Sequence, residues 1–411
     1  MIKIGLPALV SRGTLAIWGV VTIFIIRSLP PEAYAIYAVA KSLEMFGVLL
    51  GGGFIQQAIL KLASEGDGLR EKQLANSGIL MALCFAILSA FLLIAGGGII
   101  GSFYEPLDLS GIPVLLAGVV VTGTLNGLPR LLLLTRHRTK DVMIIDIVNF
   151  VVKSGIIGFL LLNNTLETAH QIFTAMIIAN IVAFFVSAWI ARHLFFPSAG
   201  VRMNRIGSVM SFSAIFLGGA TANFIYTRTD ILMLGKIAPN DVAAYSASRS
   251  LSGLIQVVIA AANMILLPYV SKMWSQGRKK EVLSRVWSTI LLAEILIFPA
   301  VLLSVFFPRQ LLDFVFSGKY TGSWNVLLVL GALSIVRPLG SFFSTASSAV
   351  GKPQYALFSV IISSIVNVSL NIYLIPRYGG FGAAIATAAA VILGSAWMAT
   401  ISIRYIKKGA Q

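Results

Sequence analysis

The chain has 411 residues, of which 57% are hydrophobic and only 11% are charged. A soluble domain carries about 25% charged residues, so this composition is typical of an integral membrane protein and excludes a large soluble catalytic domain. The formal net charge of +16 does not indicate nucleic acid, because most Lys and Arg residues fall in short loops between apolar runs. The single cysteine, Cys84, cannot supply a disulfide framework or a cysteine-rich metal site.

Twelve apolar runs are each long enough to cross the ~30 Å hydrocarbon core of a bilayer as an α-helix of about 20 residues. In chain order they lie near residues 6–27, 36–60, 76–100, 112–134, 142–162, 171–191, 207–235, 242–270, 286–307, 323–350, 354–375 and 381–405. We therefore predict an all-α integral membrane protein with twelve transmembrane helices. A division into an N-terminal lobe, residues 1–200, and a C-terminal lobe, residues 201–411, gives each lobe six spans.

The loops between these runs differ strongly in basic content. Nineteen Lys and Arg residues fall in the loops on one side of the predicted membrane, and five fall on the other side. By the positive-inside rule, the richer side is cytoplasmic. An even number of spans then places both termini in the cytoplasm.

A segment early in the chain recurs in its second half. Residues 31–43 (PEAYAIYAVAKSL) align with residues 239–251 (PNDVAAYSASRSL), 208 positions further on, and the alignment matches Lys41 with Arg249. A matched cation inside a span is an uncommon coincidence between apolar segments, so we interpret the pair as a duplication. Because six spans is an even number, the halves are predicted to be parallel repeats with a binding site between them.

Charged residues inside the predicted spans are the strongest indication of function. The basic ones are Arg12, Lys41, Arg130, Lys153, Arg228, Arg249 and Arg337, and the acidic ones are Glu44, Asp146, Asp230 and Glu294. A charge in hydrocarbon costs at least ~2.5–3.5 kcal/mol on insertion scales, so such residues normally face a cavity or a partner. Seven cations against four anions cannot all be neutralised by pairing, which predicts an anionic ligand.

Some of these cations are stronger candidates for substrate binding than others. Arg249 is followed by Gln256 and Asn263 at spacings of seven residues, which return to nearly the same helix face and predict a polar stripe along span eight. Arg12 and Arg249 have no carboxylate within one helical turn in sequence, and Lys41 gains weight from its match to Arg249.

Structural pairing is the alternative for the other intramembrane cations. Lys153 and Arg228 are further substrate-binding candidates, but each has an acid nearby in sequence, Asp146 and Asp230 respectively, and Lys41 likewise has Glu44. Arg130, near a cytoplasmic helix end, is expected to extend its charge to the membrane surface. Arg337 precedes Pro338, a predicted kink, and its role is left open.

No sequence feature indicates catalysis or a bound cofactor. The glycine clusters at residues 51–53 and 96–98 lack the Lys-Ser/Thr of a phosphate-binding loop. Transport would therefore depend on an ion gradient, the membrane potential or the substrate gradient. For ion coupling the candidate acids are Asp230 and Asp146, followed by Glu44 and Glu294.

Several stretches resemble a known family of transporters. They are RSLPPEAYAIY (27–37), RTDILMLG (228–235) with AYSA (244–247), LLPYV (266–270) and NIYLIPRYGGFGAAIAT (371–387). Together they resemble the polysaccharide flippases of the multidrug/oligosaccharidyl-lipid/polysaccharide exporter superfamily, and in particular the O-antigen flippases of lipopolysaccharide synthesis. The resemblance implies two six-helix lobes around a central cavity that opens alternately to the two sides of a bacterial inner membrane.

The resemblance also implies the substrate and its contacts. Family substrates are undecaprenyl-pyrophosphate-linked oligosaccharides, and cations on spans one, two, seven and eight would meet the pyrophosphate. Arg12, Lys41, Arg228 and Arg249 occupy those spans. The expected partners are this lipid-linked oligosaccharide, membrane lipids and other polysaccharide-assembly proteins, with no nucleic acid, and a monomer is sufficient.

Two other functions are weighed against this one. A sodium- or proton-coupled drug exporter of the same superfamily is disfavoured, because the first span carries Arg12 and no acid. A membrane polymerase, glycosyltransferase or scaffold is disfavoured, because the longest predicted outer loop, about residues 308–322, is too short to build a catalytic site.

Overall fold

The computed structural model describes residues 2–64, 68–194 and 200–410, without side-chain detail at residues 2–12, 15, 16, 215, 409 and 410. These described residues are almost entirely α-helical and contain no β-strand. The chain divides into two compact units, Met1–Phe224 and Ile225–Gln411, called unit 1 and unit 2 below. The division falls inside one long helix, and the assignment of functional lobes to residues 1–200 and 201–411 stays a prediction.

Unit 1 begins with eight helices that pack mainly side by side. They are α1 (Ile2–Ser28), α2 (Pro31–Val48), α3 (Phe54–Leu62), α4 (Leu69–Ala95), α5 (Gly97–Phe103), α6 (Ile112–Thr135), α7 (Thr139–Leu162) and α8 (Ala169–Ala191), followed by α9 (Met203–Ile237), which continues into unit 2. α6 packs against α4, α2 and α8, and α7 packs against α1 and α8. α6 is therefore the central helix of this unit.

Unit 2 contains the end of α9 and seven further helices. They are α10 (Val242–Gly253), α11 (Gln256–Ser275), α12 (Lys279–Phe306), α13 (Pro308–Phe316), α14 (Trp324–Leu333), α15 (Arg337–Ala349) and α16 (Gln354–Ala410). α15 packs against α11, α12 and α16, while α10 packs against α14 and α16. These contacts bring α10, α15 and α16 around the polar cavity described below.

Ten helical segments within the described residues are long and apolar enough to cross a membrane. The last of them covers 55 residues, Gln354–Lys408. Since about 20 residues cross a bilayer, it is long enough for two crossings. α1 is a further helix of 27 residues. The protein is thus a multi-pass membrane protein, and a count of twelve spans is consistent with these helices.

The packing of the helices is that of a membrane protein, with small residues inside and large apolar residues outside. On α4, Ala82 and Ala86 are buried, whereas the side chains of Ile87 and Phe91 are 63% and 65% exposed. Small residues allow helix backbones to approach each other in lipid, and exposed apolar side chains contact the acyl chains at no cost. The exposed large residues therefore mark surfaces that face lipid.

Two glycines with positive φ interrupt the long helical segments. Gly52 (φ 87°) lies in a short π-helical turn, Leu49–Gly53, between α2 and α3. Gly379 (φ 53°) breaks α16, where the backbone N–H of Gly380 donates to the Asp241 carboxylate at 2.8 Å. Because L-residues rarely adopt these conformations, glycine is required at both breaks.

Candidate functional site

A polar cavity of unit 2 lies among α9, α10, α11, α14, α15 and α16 and has a volume of about 470 Å³. Two guanidinium groups, those of Arg249 and Arg337, line it together with the Gln256 amide. Hydroxyl groups supply much of the remaining wall; they belong to Tyr226, Thr227, Ser341, Ser344, Ser359, Ser363, Thr387 and Ser395. A cavity with this lining offers hydrogen-bond donors and positive charge inside an otherwise apolar bundle.

Arg249 is fixed in this cavity by a carboxylate from another helix. Its guanidinium forms an ion pair with Asp230 of α9, and its Nη2 also donates to the Thr227 carbonyl oxygen at 2.7 Å. The Tyr245 hydroxyl donates a second hydrogen bond to the Asp230 carboxylate, which is 0% exposed. The buried acid therefore has two side-chain partners on α10, and a third partner in the backbone N–H of Ile231, so it ties α9 to α10.

The same acid is the start of a buried chain of hydrogen bonds. The Tyr245 hydroxyl lies 3.2 Å from the Thr387 hydroxyl, which accepts from the Asn367 amide at 3.4 Å. Asn371 in turn donates to Asn367 at 2.9 Å. The chain links α9 and α10 to both halves of α16, on either side of the Gly379 break.

Arg337 has a different environment from Arg249. It opens α15, after a break at residues 334–336 that separates α14 from α15. Among the described residues its guanidinium makes no hydrogen bond or ion pair, and Arg249 is one of its charged neighbours. Unit 2 thus places two guanidinium groups and one carboxylate around a single cavity.

Unit 1 also places two cations near one carboxylate. Lys41 forms an ion pair with Glu44, one turn further along α2. Lys41 and Glu44 are the charged neighbours of Lys153 on α7, whose Nζ lies 3.6 Å from the centroid of the Trp18 ring. A cation over an indole face gains part of the stabilisation that a carboxylate would otherwise supply.

A second pair of intramembrane residues in unit 1, Arg130 and Asp146, has no net charge. Arg130 on α6 donates two hydrogen bonds to Asp146 on α7, at 2.7 and 2.9 Å. The alternative pairing of Asp146 with Lys153 was therefore wrong, and the expectation that Arg130 extends its charge to the membrane surface stays a prediction. A guanidinium and a carboxylate interact most strongly when two parallel hydrogen bonds join them, and this geometry favours the pairing of Asp146 with Arg130.

The predicted polar stripe of span eight is only partly present. Gln256 lines the cavity with Arg249, but Asn263 instead contacts α15, where its amide nitrogen donates to Ser341 at 2.8 Å and its oxygen accepts from Thr345 at 2.6 Å. Asn263 lies two turns beyond Gln256 on the same helix, α11, at a position where α11 packs against α15. Asp230 bonds to Arg249, which replaces the predicted Arg228–Asp230 pair.

The other predicted residues are placed as follows. The Arg12 side chain lies outside the described residues. Glu294 is half-buried on α12 and does not line the cavity. Arg337 and Tyr245 were not selected from the sequence; only the unassigned charge of Arg337 and the repeat-matched position of Tyr245 could have indicated them.

This fold and these charges define a class: a multi-span helical membrane protein with a cationic, hydroxyl-lined cavity. Residues 24–325 match the sequence profile described as polysaccharide biosynthesis protein, and the chain belongs to that family. Its fold is that of the multidrug/oligosaccharidyl-lipid/polysaccharide superfamily. The structure resembles the lipid II flippase MurJ in an inward closed conformation, with a TM-score of 0.76 and 15% identity over 100% of this chain and 90% of that one.

A second solved structure is similar to this chain in fold, and two relatives are similar to it in sequence. An inward-facing multidrug transporter of the MATE family has a TM-score of 0.76 and 13% identity, covering 94% of this chain and 93% of that one. The putative O-antigen transporter of Shigella flexneri is 24% identical over 388 residues, 90% of each chain. The probable low-salt glycan biosynthesis flippase Agl15 of Haloferax volcanii is 24% identical over 236 residues, 56% of this chain and 48% of that relative, so this match spans about half of that relative.

Proposed function

We propose that the protein is a flippase that moves an undecaprenyl-pyrophosphate-linked oligosaccharide, such as an O-antigen repeat unit, from the cytoplasmic to the outer leaflet of a bacterial inner membrane by alternating access. Membership of the polysaccharide biosynthesis family supports this proposal. So do the names of the relatives, one a probable flippase and one a putative O-antigen transporter. Both termini lie in the cytoplasm in this proposal.

The observation that carries the proposal is the excess of cations in both units. Lys41 and Lys153 have one carboxylate near them, Glu44, and Arg249 and Arg337 have one, Asp230. A diphosphate group carries about two negative charges, and such groups are well matched by ammonium and guanidinium donors. The cations replace part of the hydration that the diphosphate loses while it crosses.

The membrane potential can drive this movement without ATP. When the cytoplasm is negative, outward transfer of one uncompensated negative charge is favourable by ~2.3 kcal/mol per 100 mV. Transfer of the two negative charges of a diphosphate is therefore favourable by roughly 4–5 kcal/mol at about 100 mV. Coupling to an ion gradient would use Asp230, Asp146, Glu44 or Glu294. Since the first three acids are held by Arg249, Arg130 and Lys41 respectively, ion binding at any of them would have to displace a cation.

The proposal is tested by flipping in proteoliposomes. A fluorescent polyprenyl-diphosphate sugar is placed in the leaflet that corresponds to the cytoplasm, and its exposure on the other side is followed with and without an imposed potential. Lys153→Gln and Arg249→Gln are compared with wild type, and Arg377→Gln is the matched control, since Arg377 binds the Tyr373 carbonyl on an exposed surface. We expect potential-dependent flipping by wild type and the control, and a loss of at least about tenfold in both cavity variants.

A different result would favour the drug-exporter alternative, since the MATE structure shares this fold. Absence of flipping under every gradient, together with export of a cationic dye by the same proteoliposomes, would reject the flippase proposal. Loss of flipping in Arg377→Gln as well would show that the assay responds to any lost arginine, and the role assigned to the cavity cations would fall.

A further inference from the structure

Arg337 is the charged group of unit 2 whose role neither the sequence nor the family assigns. It stands at the first position of α15, a helix of 13 residues that no side chain caps at its N-terminus. The start of a helix carries unsatisfied N–H groups and partial positive charge, and it favours anions. In transporters, helices broken within a span commonly direct such ends at anionic groups of the substrate. The break between α14 and α15 and the Arg337 guanidinium thus add positive charge at the same place.

The charge balance of the cavity leaves this positive charge uncompensated. Asp230 is occupied by Arg249 and by the Tyr245 hydroxyl. In the part of the chain that the structure describes, no carboxylate lines the cavity itself, and Arg337 has no ion pair or hydrogen bond. An uncompensated guanidinium inside a span is costly, and it is typically retained where a ligand supplies the missing charge.

The cavity also has the size and lining of a small-molecule site. Its volume of about 470 Å³ lies within the ~300–1,000 Å³ range of ligand pockets. A Cβ at Gly340 would lie 2.4 Å from the Ser395 hydroxyl, and one at Gly394 would lie 2.0 Å from that of Ser363, so α15 and α16 are held close together. A Cβ at Gly253, on the α10 side, would meet nothing within 4 Å. One wall is therefore tightly packed and carries hydroxyl groups, and the other borders open space.

We propose that this cavity is an oxyanion-binding pocket within unit 2, in which Arg337 binds a phosphate or carboxylate carried by a hydroxyl-rich group. The planar guanidinium matches either oxyanion with two parallel hydrogen bonds, and the serine hydroxyls and the Gln256 amide bind the hydroxyl groups around it. The identity of the ligand rests on the proposed function: the oxyanion is either the phosphate next to the first sugar or the carboxylate of an acidic sugar in the repeat unit. The existence of the pocket does not depend on it.

Binding to the purified full-length protein in lipid nanodiscs tests this proposal. The probes are a short-chain polyprenyl diphosphate, glucose 1-phosphate, glucuronic acid and glucose. The variants are Arg337→Gln, Arg337→Lys and Gly253→Leu, with Arg377→Gln as the matched control. We expect wild type and the control to prefer the charged probes over glucose, and Arg337→Gln to weaken the charged probes by at least about tenfold, the usual range for a lost hydrogen bond to a charged group.

Each further arm of the experiment has its own expected result. Arg337→Lys recovers part of the affinity, because a lysine restores the charge without the planar fork. Gly253→Leu weakens phosphate, carboxylate and glucose probes alike, because it narrows the open side of the pocket without removing a charge; this variant also tests the pocket if loss of Arg337 prevents folding. Dependence on Arg337 for glucose 1-phosphate but not glucuronic acid identifies the phosphate as the natural oxyanion, and the reverse identifies an acidic sugar.

The outcomes that overturn the pocket differ from those that overturn the flippase. Equal affinity of wild type and Arg337→Gln for every charged probe rejects the pocket, even if lipid-linked oligosaccharide is still flipped. Arg337-dependent binding by a protein that flips no lipid-linked sugar keeps the pocket and rejects the proposed function. Binding that is lost equally in Arg377→Gln rejects the assignment to Arg337.

Discussion

The clearest contrast in the molecule is between Lys41 in unit 1 and Arg249 in unit 2, the two cations that the internal alignment matches. Lys41 takes its carboxylate, Glu44, from one turn away on its own helix. Arg249 takes Asp230 from a different helix, shares it with Tyr245 and donates a further hydrogen bond to a backbone carbonyl. The internal alignment matches a cation in each unit, but the structure gives each cation different partners: one residue on the same helix for Lys41, and groups on a second helix for Arg249.

A second contrast concerns two arginines that lie beside prolines. Arg130 follows Pro129 on α6, and Arg337 precedes Pro338 on α15, 207 positions later (337 minus 130), close to the repeat offset of 208. Arg130 is neutralised by two hydrogen bonds from its guanidinium to Asp146, whereas Arg337 has no such partner among the described residues. Arginines beside prolines at neighbouring positions of the alignment thus differ in environment: the one in unit 1 is neutralised by a carboxylate, and the one in unit 2 has no ion pair among the described residues.

The largest expected effect separates the two aligned cations. Asp230→Asn leaves the Arg249 charge without its counterion in a buried site, and breaking a buried pair in this way typically costs about 3–5 kcal/mol. Glu44→Gln should cost less, because the Lys41–Glu44 pair lies within one helix and does not tie two helices together as the Asp230–Arg249 pair does. Thermal unfolding of both variants in detergent, each compared with wild type, measures the difference.

A double variant sharpens this comparison. Asp230→Asn combined with Arg249→Gln removes both charges together and should recover part of the stability lost in Asp230→Asn alone, because no unpaired charge is left. Recovery by Arg249→Gln confirms that an uncompensated guanidinium causes the loss. Equal destabilisation by Asp230→Asn and Glu44→Gln would show that the contrast between the units has no energetic consequence.

The two breaks at glycine give the next largest effect. Alanine at Gly52 or Gly379 must adopt a left-handed conformation, at a cost of roughly 1–2 kcal/mol. At Gly379 the added Cβ would also lie 1.9 Å from the Asp241 carboxylate, whereas at Gly52 its nearest neighbour is the Ala82 Cα at 3.1 Å. We therefore expect Gly379→Ala to lower the unfolding temperature more than Gly52→Ala.

Gly253→Ala is the control for these glycine variants, because a Cβ there meets nothing within 4 Å and the backbone φ is not positive. It should change the unfolding temperature least of the three. A larger loss at Gly253 than at Gly379 would contradict the geometry described for the α16 break.

The periodicity and charge pattern of the sequence predicted the spans and the intramembrane charges, but not most of the pairs. Hydropathy is summed over about 20 residues, so a helix is visible without knowledge of its neighbours. The Lys41–Glu44 pair could be proposed because both residues lie on one helix. Asp230 and Arg249, 19 residues apart on α9 and α10, could be paired only once the packing of these helices was known.

The sequence predicted only some of the residues that line the cavity of unit 2. A spacing of seven residues correctly placed Gln256 with Arg249, since both line the cavity. Asn263, two turns further along α11, instead contacts Ser341 and Thr345 of α15, and periodicity in the sequence does not show which helix packs against α11. Arg337 was visible as a charge, but the absence of a partner for it among the described residues is a property of the fold around it.

The last pair of variants has expected effects of opposite sign in the two units, and the sign makes this comparison specific. Arg130→Met removes both hydrogen bonds to Asp146 and leaves a partly buried carboxylate, which should destabilise the protein by about 1–2 kcal/mol. Arg337→Met removes a charge with no partner among the described residues and should stabilise the protein by about 1 kcal/mol, since desolvation of a guanidinium is no longer required. Sites kept for ligands commonly carry this cost in stability. Unfolding midpoints in ligand-free detergent compare the two variants directly, and a destabilised Arg337→Met would mean that Arg337 supports the fold of unit 2 as Arg130 supports that of unit 1.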